Sequence, residues 1–147
     1  MKYAEAKQGR IFVVRLEHGD IIHKSIETLA KKEKIKSASV IILGGANAES
    51  KLVTGPESNG LKNINPMEYV LNGASEIAGV GTIFPDESGE PILHMHIGAG
   101  RKDKSVTGCV RLGVETWLVA EAVIFELTDC SALRKTDSVS GFKLLDI

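Results

Sequence analysis

Apolar and mixed positions alternate across Arg10–Leu16, with Val and Phe prominent, which predicts a β-strand. His18-Gly19-Asp20 then supplies a turn and a helix N-cap. Ile22, Ile26, Leu29 and Ala30 follow at i, i+4, i+7 and i+8, the apolar stripe of one helix over about 21–34. Lys31, Lys32 and Lys34 fall in its last turn, where positive charge complements the helix dipole. The β-branched run Ser37–Leu43 predicts a buried strand that breaks at Gly44-Gly45, and Ala46–Val53 a weaker strand paired with it. Thr54–Pro66, with Pro56, Ser58, Asn59, Gly60, Asn63 and Pro66, has the composition of a surface loop.

Beyond Glu68 the pattern is almost wholly β. Tyr69–Leu71, Glu76–Phe84, Ile92–Ile97, Val106–Leu112 and Thr116–Leu127 are apolar runs separated by turn residues, with Asp86–Gly89 closing a hairpin. Trp117–Phe125 shows little alternation, as expected of a strand buried on both faces, inside the domain or against another subunit. The tail Leu133–Ile147 is expected to add a strand or dock across a sheet edge. One main helix and about seven strands in a β-α-β-then-strands order indicate an α+β domain with an antiparallel or mixed sheet, spanning residues 1–147.

Composition narrows the function classes. The 147 residues carry a net charge of −1, without the basic footprint of a protein that grips many phosphates unaided. The imbalance is local: residues 1–36 hold nine Lys/Arg against five Asp/Glu, and the rest nine against fourteen. A solvated helix end accounts for the lysine cluster better than a nucleic-acid patch does. Two cysteines, Cys109 and Cys130, are too few for a disulfide framework. No apolar run reaches the ~18 residues of a membrane span, and Met1–Gln8 lacks the apolar core of a secretory leader. The expectation is a cytoplasmic protein without membrane contact.

His94-Met95-His96 carries the clearest chemical signal. In a strand, His94 and His96 project to one face while Leu93, Met95 and Ile97 project to the other. Two imidazoles so placed can share a metal ion, and Cys109, on the returning strand, is the candidate third ligand. That donor set suits zinc with an open fourth position. The competing reading is a pair of hydrogen-bonded histidines in a polar pocket. Glu76, Glu115 and Glu121 are candidate carboxylates, and Arg101 and Arg111 candidate anion-binding residues, with Lys102 and Lys104 nearby. There is no Gly-X-Ser-X-Gly elbow and no phosphate loop after Gly44-Gly45.

An ordered series of segments resembles the PPC (plants and prokaryotes conserved) domain. It runs from Gly9-Arg10-Ile11-Phe12 and Arg15-Leu16-Glu17-His18-Gly19-Asp20, through Ala38-Ser39-Val40 and Gly44-Gly45, to Gly81-Thr82-Ile83, Pro91–His96 and Thr107-Gly108-Cys109-Val110-Arg111. The resemblance implies a curved antiparallel sheet with one helix, a homotrimer, and a prokaryotic single-domain type usually labelled DNA-binding. The chain has no Arg-Gly-Arg-Pro core of an AT-hook. The resemblance also implies zinc held by the paired histidines and a third histidine, whose place is taken here by Cys109 or by Val110. The functional expectation is a binding or regulatory module with a zinc or small-anion site at the His-X-His strand; the alternative is a zinc-dependent hydrolase or lyase acting on a small polar substrate.

Overall fold

Period-two patterning organises nearly the whole chain. In the computed structural model, which describes residues 1–62 and 64–147, the order is β1 (Lys7–Glu17), α1 (Ile22–Lys32), β2 (Ser37–Ala46), β3 (Lys51–Pro56), β4 (Pro66–Val70), β5 (Ser75–Pro85), β6 (Pro91–Arg101), β7 (Lys104–Cys109), a 3-10 turn (Val110–Leu112), β8 (Thr116–Thr128), β9 (Leu133–Thr136) and β10 (Lys143–Asp146). Eight strands form one antiparallel sheet in the order β1-β8-β2-β5-β6-β7-β3-β4, and β9 pairs with β10 separately. This is an α+β fold with one main helix.

Helix α1 lies against β6 and the 3-10 turn. Its Ile22, Ile26 and Ala30 are fully buried against Val40 and Ile42 of β2, Ile83 of β5, Met95 and Ile97 of β6 and Ile124 of β8, which together make the core. The helix begins without the expected cap: Ile21 occupies the N-cap position with no side-chain hydrogen bond. Asp20 is held instead by the preceding turn, where its carboxylate accepts the Glu17 N–H at 2.9 Å. The helix also ends before residue 34, because Lys34 adopts a left-handed backbone (φ 57°).

Three other expectations change. The strand read over Ala46–Val53 begins at Lys51 and pairs with β4 and β7, not with its predecessor, because Asn47–Ser50 forms a turn between them. Within the loop read over Thr54–Pro66, residues as far as Pro56 belong to β3 and Pro66 opens β4, while Asn63 lies outside the described residues. In β8, Ala120, Ala122 and Ile124 face the core, but Trp117 and Leu118 are exposed and Val123 and Phe125 only half-buried, so this chain covers one face of the strand. The unalternating look arises because both faces carry apolar residues. The tail forms the β9–β10 hairpin, which lies beside β5.

An ion pair fastens the β1 edge. Arg10 donates from Nε and Nη2 to the two Glu126 carboxylate oxygens of β8 at 2.7 and 2.8 Å, and its backbone N–H donates to Oε2 at 3.1 Å. The same guanidinium donates to the Glu33 carbonyl at the end of α1, 2.9 Å. The irregular register between Gln8 and Ile11 wraps the β1 backbone around the Glu126 carboxylate. These hydrogen bonds, with the Arg10 charge, hold the Glu126 carboxyl below its usual range.

Two stability predictions arise here. Gly79 of β5 lies where a Cβ would stand 2.5 Å from the His96 carbonyl oxygen. Gly79→Ala must push β5 from β6 and should lower stability by about 1–3 kcal/mol in denaturant unfolding; a cost near zero would show that the strands part freely. Glu126 has a depressed folded pKa, so its contribution is full above about pH 4.3, where the unfolded carboxyl ionises, and is lost as pH falls through the lower folded value. Glu126→Gln should therefore melt below wild type at neutral pH, with the gap closing on acidification. A gap that stays constant with pH would refute the ion-pair account.

Candidate metal centre

Strand β6 sets the site. Leu93, Met95 and Ile97 are buried in the core, so His94 and His96 stand together on the opposite face. On one side His94 lies across from Thr82 and His96 across from Val80, both of β5; on the other, His96 lies across from Cys109, the last residue of β7. This register separates the two candidates for the third position: Cys109 lies beside the histidines, and Val110 turns into the core at 1% exposure.

The two imidazoles meet edge to face, with ring planes at 81° and Nε2 atoms 3.1 Å apart. The ligating atoms of His94, His96 and Cys109 all lie within 4.8 Å of one another. Nitrogens bound about 2.0–2.1 Å from a tetrahedral zinc sit about 3.3 Å apart, close to the separation seen. Two imidazoles and a thiol are also a donor set that zinc favours. The residues therefore fit a tetrahedral ion with three protein ligands. Partial burial, reinforced by the positive charges of Arg134 and Arg111, holds His94 below the usual imidazole range, so its ring is biased toward the neutral form that binds metal.

Two guanidiniums border this cluster. Arg111, in the 3-10 turn, donates from Nε to Cys109 Sγ at 3.3 Å. Arg134, on β9, donates from Nη2 to Thr82 Oγ1 at 3.0 Å and lies over the Phe84 ring. Phe142, just before β10, lies against Arg111, with the guanidinium carbon 5.7 Å from the ring centre. A hollow of about 350 Å³ runs from His94 and Cys109 past Arg111 and Arg134 to Phe142 and Leu144. A second, more apolar one of about 240 Å³ is bounded by His96, Cys109, Phe142, Val53 and Pro66.

The other candidates lie elsewhere. Arg101, at the far end of β6, donates to the Ala74 carbonyl at 2.7 Å and borders a separate hollow with Tyr69 and Lys104. Glu115 accepts from Asn47 Nδ2 at 2.7 Å, and among the described residues neither it, Glu76 nor Glu121 joins the metal-ligating cluster. His18 Nδ1 accepts the Leu118 N–H at 3.2 Å, and Cys130 is a half-buried free thiol. Sequence reasoning missed Arg134 and Phe142. The signal for Arg134 was slight: alternation from Ala132, which is buried, places Arg134 on the same inward face.

Comparison with solved structures gives the same architecture. The metal-containing protein AF0104 from Archaeoglobus fulgidus superposes with a TM-score of 0.86 at 20% identity, covering 100% of both chains. A plant- and prokaryote-conserved (PPC) protein from Pyrococcus horikoshii gives 0.85 at 22% identity, covering 100% of this chain and 99% of that one. A hypothetical protein from Salmonella gives 0.75 at 16% identity, covering 99% and 96%. At such identities the likeness establishes the fold. No curated protein matches the chain in sequence. Residues 3–128 match the model of the Plants and Prokaryotes Conserved (PCC) domain, and the chain belongs to that family.

Proposed function

We propose that this protein is a metal-binding module of the PCC-domain family that holds zinc through His94, His96 and Cys109. The observation that carries the reading is the convergence of two imidazole Nε2 atoms 3.1 Å apart with a thiol on the neighbouring strand. The metal-containing character of the Archaeoglobus protein, which shares the fold, supports it. Zinc bound by three side chains keeps a fourth position open to water or an anion. Arg111 donates from Nε to the Cys109 sulfur and so holds it beside the histidines. With no carboxylate among the described residues that line the two hollows beside the cluster to serve as general base, binding is the stronger reading than zinc-dependent hydrolysis or lyase chemistry. A net charge of −1 lends no support to autonomous DNA binding.

The module is further proposed to work as a homotrimer. Val13, Val123, Ile41 and Val80 lie in one cross-strand row on the sheet face away from α1, and the row leads to His96. Val13 is 85% exposed and Val80 65%, with Ile11, Ile41 and Leu43 also exposed on this face. An apolar face of this extent is characteristic of a surface that another chain covers.

Elemental analysis of freshly purified protein should find close to one zinc per chain, falling at least tenfold in His96→Ala and Cys109→Ser while the far-UV spectrum stays unchanged. Zinc at background in wild type, or retained in both variants, would refute the site. Val80→Glu should shift the solution mass from three chains toward one; an unchanged mass would refute the trimer face.

A further inference from the structure

Arg134 is unusual in its burial and its lack of a counter-charge. The residue is 5% exposed, yet among the described ion pairs none involves Arg134 or Arg111. Its Nε is fully buried without a hydrogen-bond partner, and its single side-chain bond goes to the neutral Thr82 hydroxyl. Asp86, whose backbone bridges to Arg134, directs its carboxylate to Lys143 at 2.8 Å and to Ser88 at 2.6 Å instead. A buried guanidinium with no anion beside it is costly. The second guanidinium, Arg111, borders the same hollow, and burial first, then the Arg111 charge, lowers the tendency of Arg134 to hold its proton. Among the described residues that line the hollow there is no carboxylate to balance these two charges.

We propose that the hollow beside the metal cluster binds a small carboxylate with an apolar body, its carboxylate held by the Arg134 and Arg111 guanidiniums and its body against Phe142, Leu144 and Ile92. The planar guanidinium fork matches a carboxylate in two-point contact. The apolar wall rules the choice between anions: inorganic phosphate would leave Phe142 and Leu144 without a partner, whereas an organic acid covers them. A volume of about 350 Å³ accommodates a molecule the size of an aromatic or short-chain acid. The site deepens the metal-binding reading, since a bound anion would lie beside His94 and Cys109, but its charge comes from side chains outside the candidate ligand set. Arg134 and Phe142 both lie beyond the 3–128 span that matches the family.

The test is calorimetric titration of benzoate and, separately, inorganic phosphate into the full chain, in zinc-loaded and chelator-treated forms whose zinc is measured alongside. Benzoate should bind both forms, and phosphate at least tenfold more weakly. Arg134→Met should weaken benzoate at least tenfold while leaving zinc content unchanged. It should also melt no lower than wild type without ligand, because removing an unpaired buried charge relieves strain. Arg134→Lys keeps the charge without the fork and should likewise weaken benzoate, which keeps the test decisive if methionine disrupts folding. Benzoate binding that survives both substitutions, phosphate bound more tightly than benzoate, or wild type that binds neither anion would overturn the proposal. Zinc content at background with benzoate still lost in Arg134→Met would sink the metal reading alone.

Discussion

The alternation of side chains along β6 is the constraint on which the rest depends. Five consecutive residues, Leu93 to Ile97, serve two environments at once: three fill the core beneath α1 and two stand on the opposite face. A slip of one residue would drive both imidazoles into the apolar interior and expel Leu93, Met95 and Ile97. The hydrophobic core therefore fixes the chemistry as firmly as it fixes the fold. Cross-strand pairing extends this control, since the same hydrogen-bonded ladder that joins β6 to β7 brings the Cys109 sulfur to His96.

Legibility in the sequence follows the range of the interaction. The stripe of α1 and the histidine pair depend on local period, and both were readable from spacing alone. Pairing partners were less so. The turn at Asn47–Ser50 sends β3 to the far side of the sheet, beside β7, and nothing local in that stretch names its neighbour. The same limit governs the site. Cys109 could be anticipated because β6 and β7 form a hairpin, whereas Arg134 reaches the cluster across 38 residues of sequence from His96 by way of a tail hairpin. Its neighbours Ala132 and Leu133 give only a brief alternation, and an arginine in such a run ordinarily points to solvent.

The two faces of the sheet divide the labour of the molecule. The face beneath α1 is closed by one helix and provides the stability of the chain. The other carries valines and an isoleucine in a row that leads across four strands to His96. Strand β8 shows how this arises: small residues, Ala120 and Ala122, face the helix side, while Val123 and Phe125 look outward. An unalternating apolar run can thus mean a strand with one face covered by its own domain and apolar residues on the other face as well.

The β9–β10 hairpin has a consequence for how such a centre can diversify. It is a single contiguous stretch at the end of the chain, paired within itself, and it contributes Arg134 and Phe142 without contributing any of the three candidate metal ligands. Exchange of this one segment would reshape the hollow beside the cluster while leaving the three candidate ligands in place, as a changed lens alters what an unchanged detector records. Part of the lining of the hollow is thus written on a different stretch of the polypeptide from the three candidate ligands.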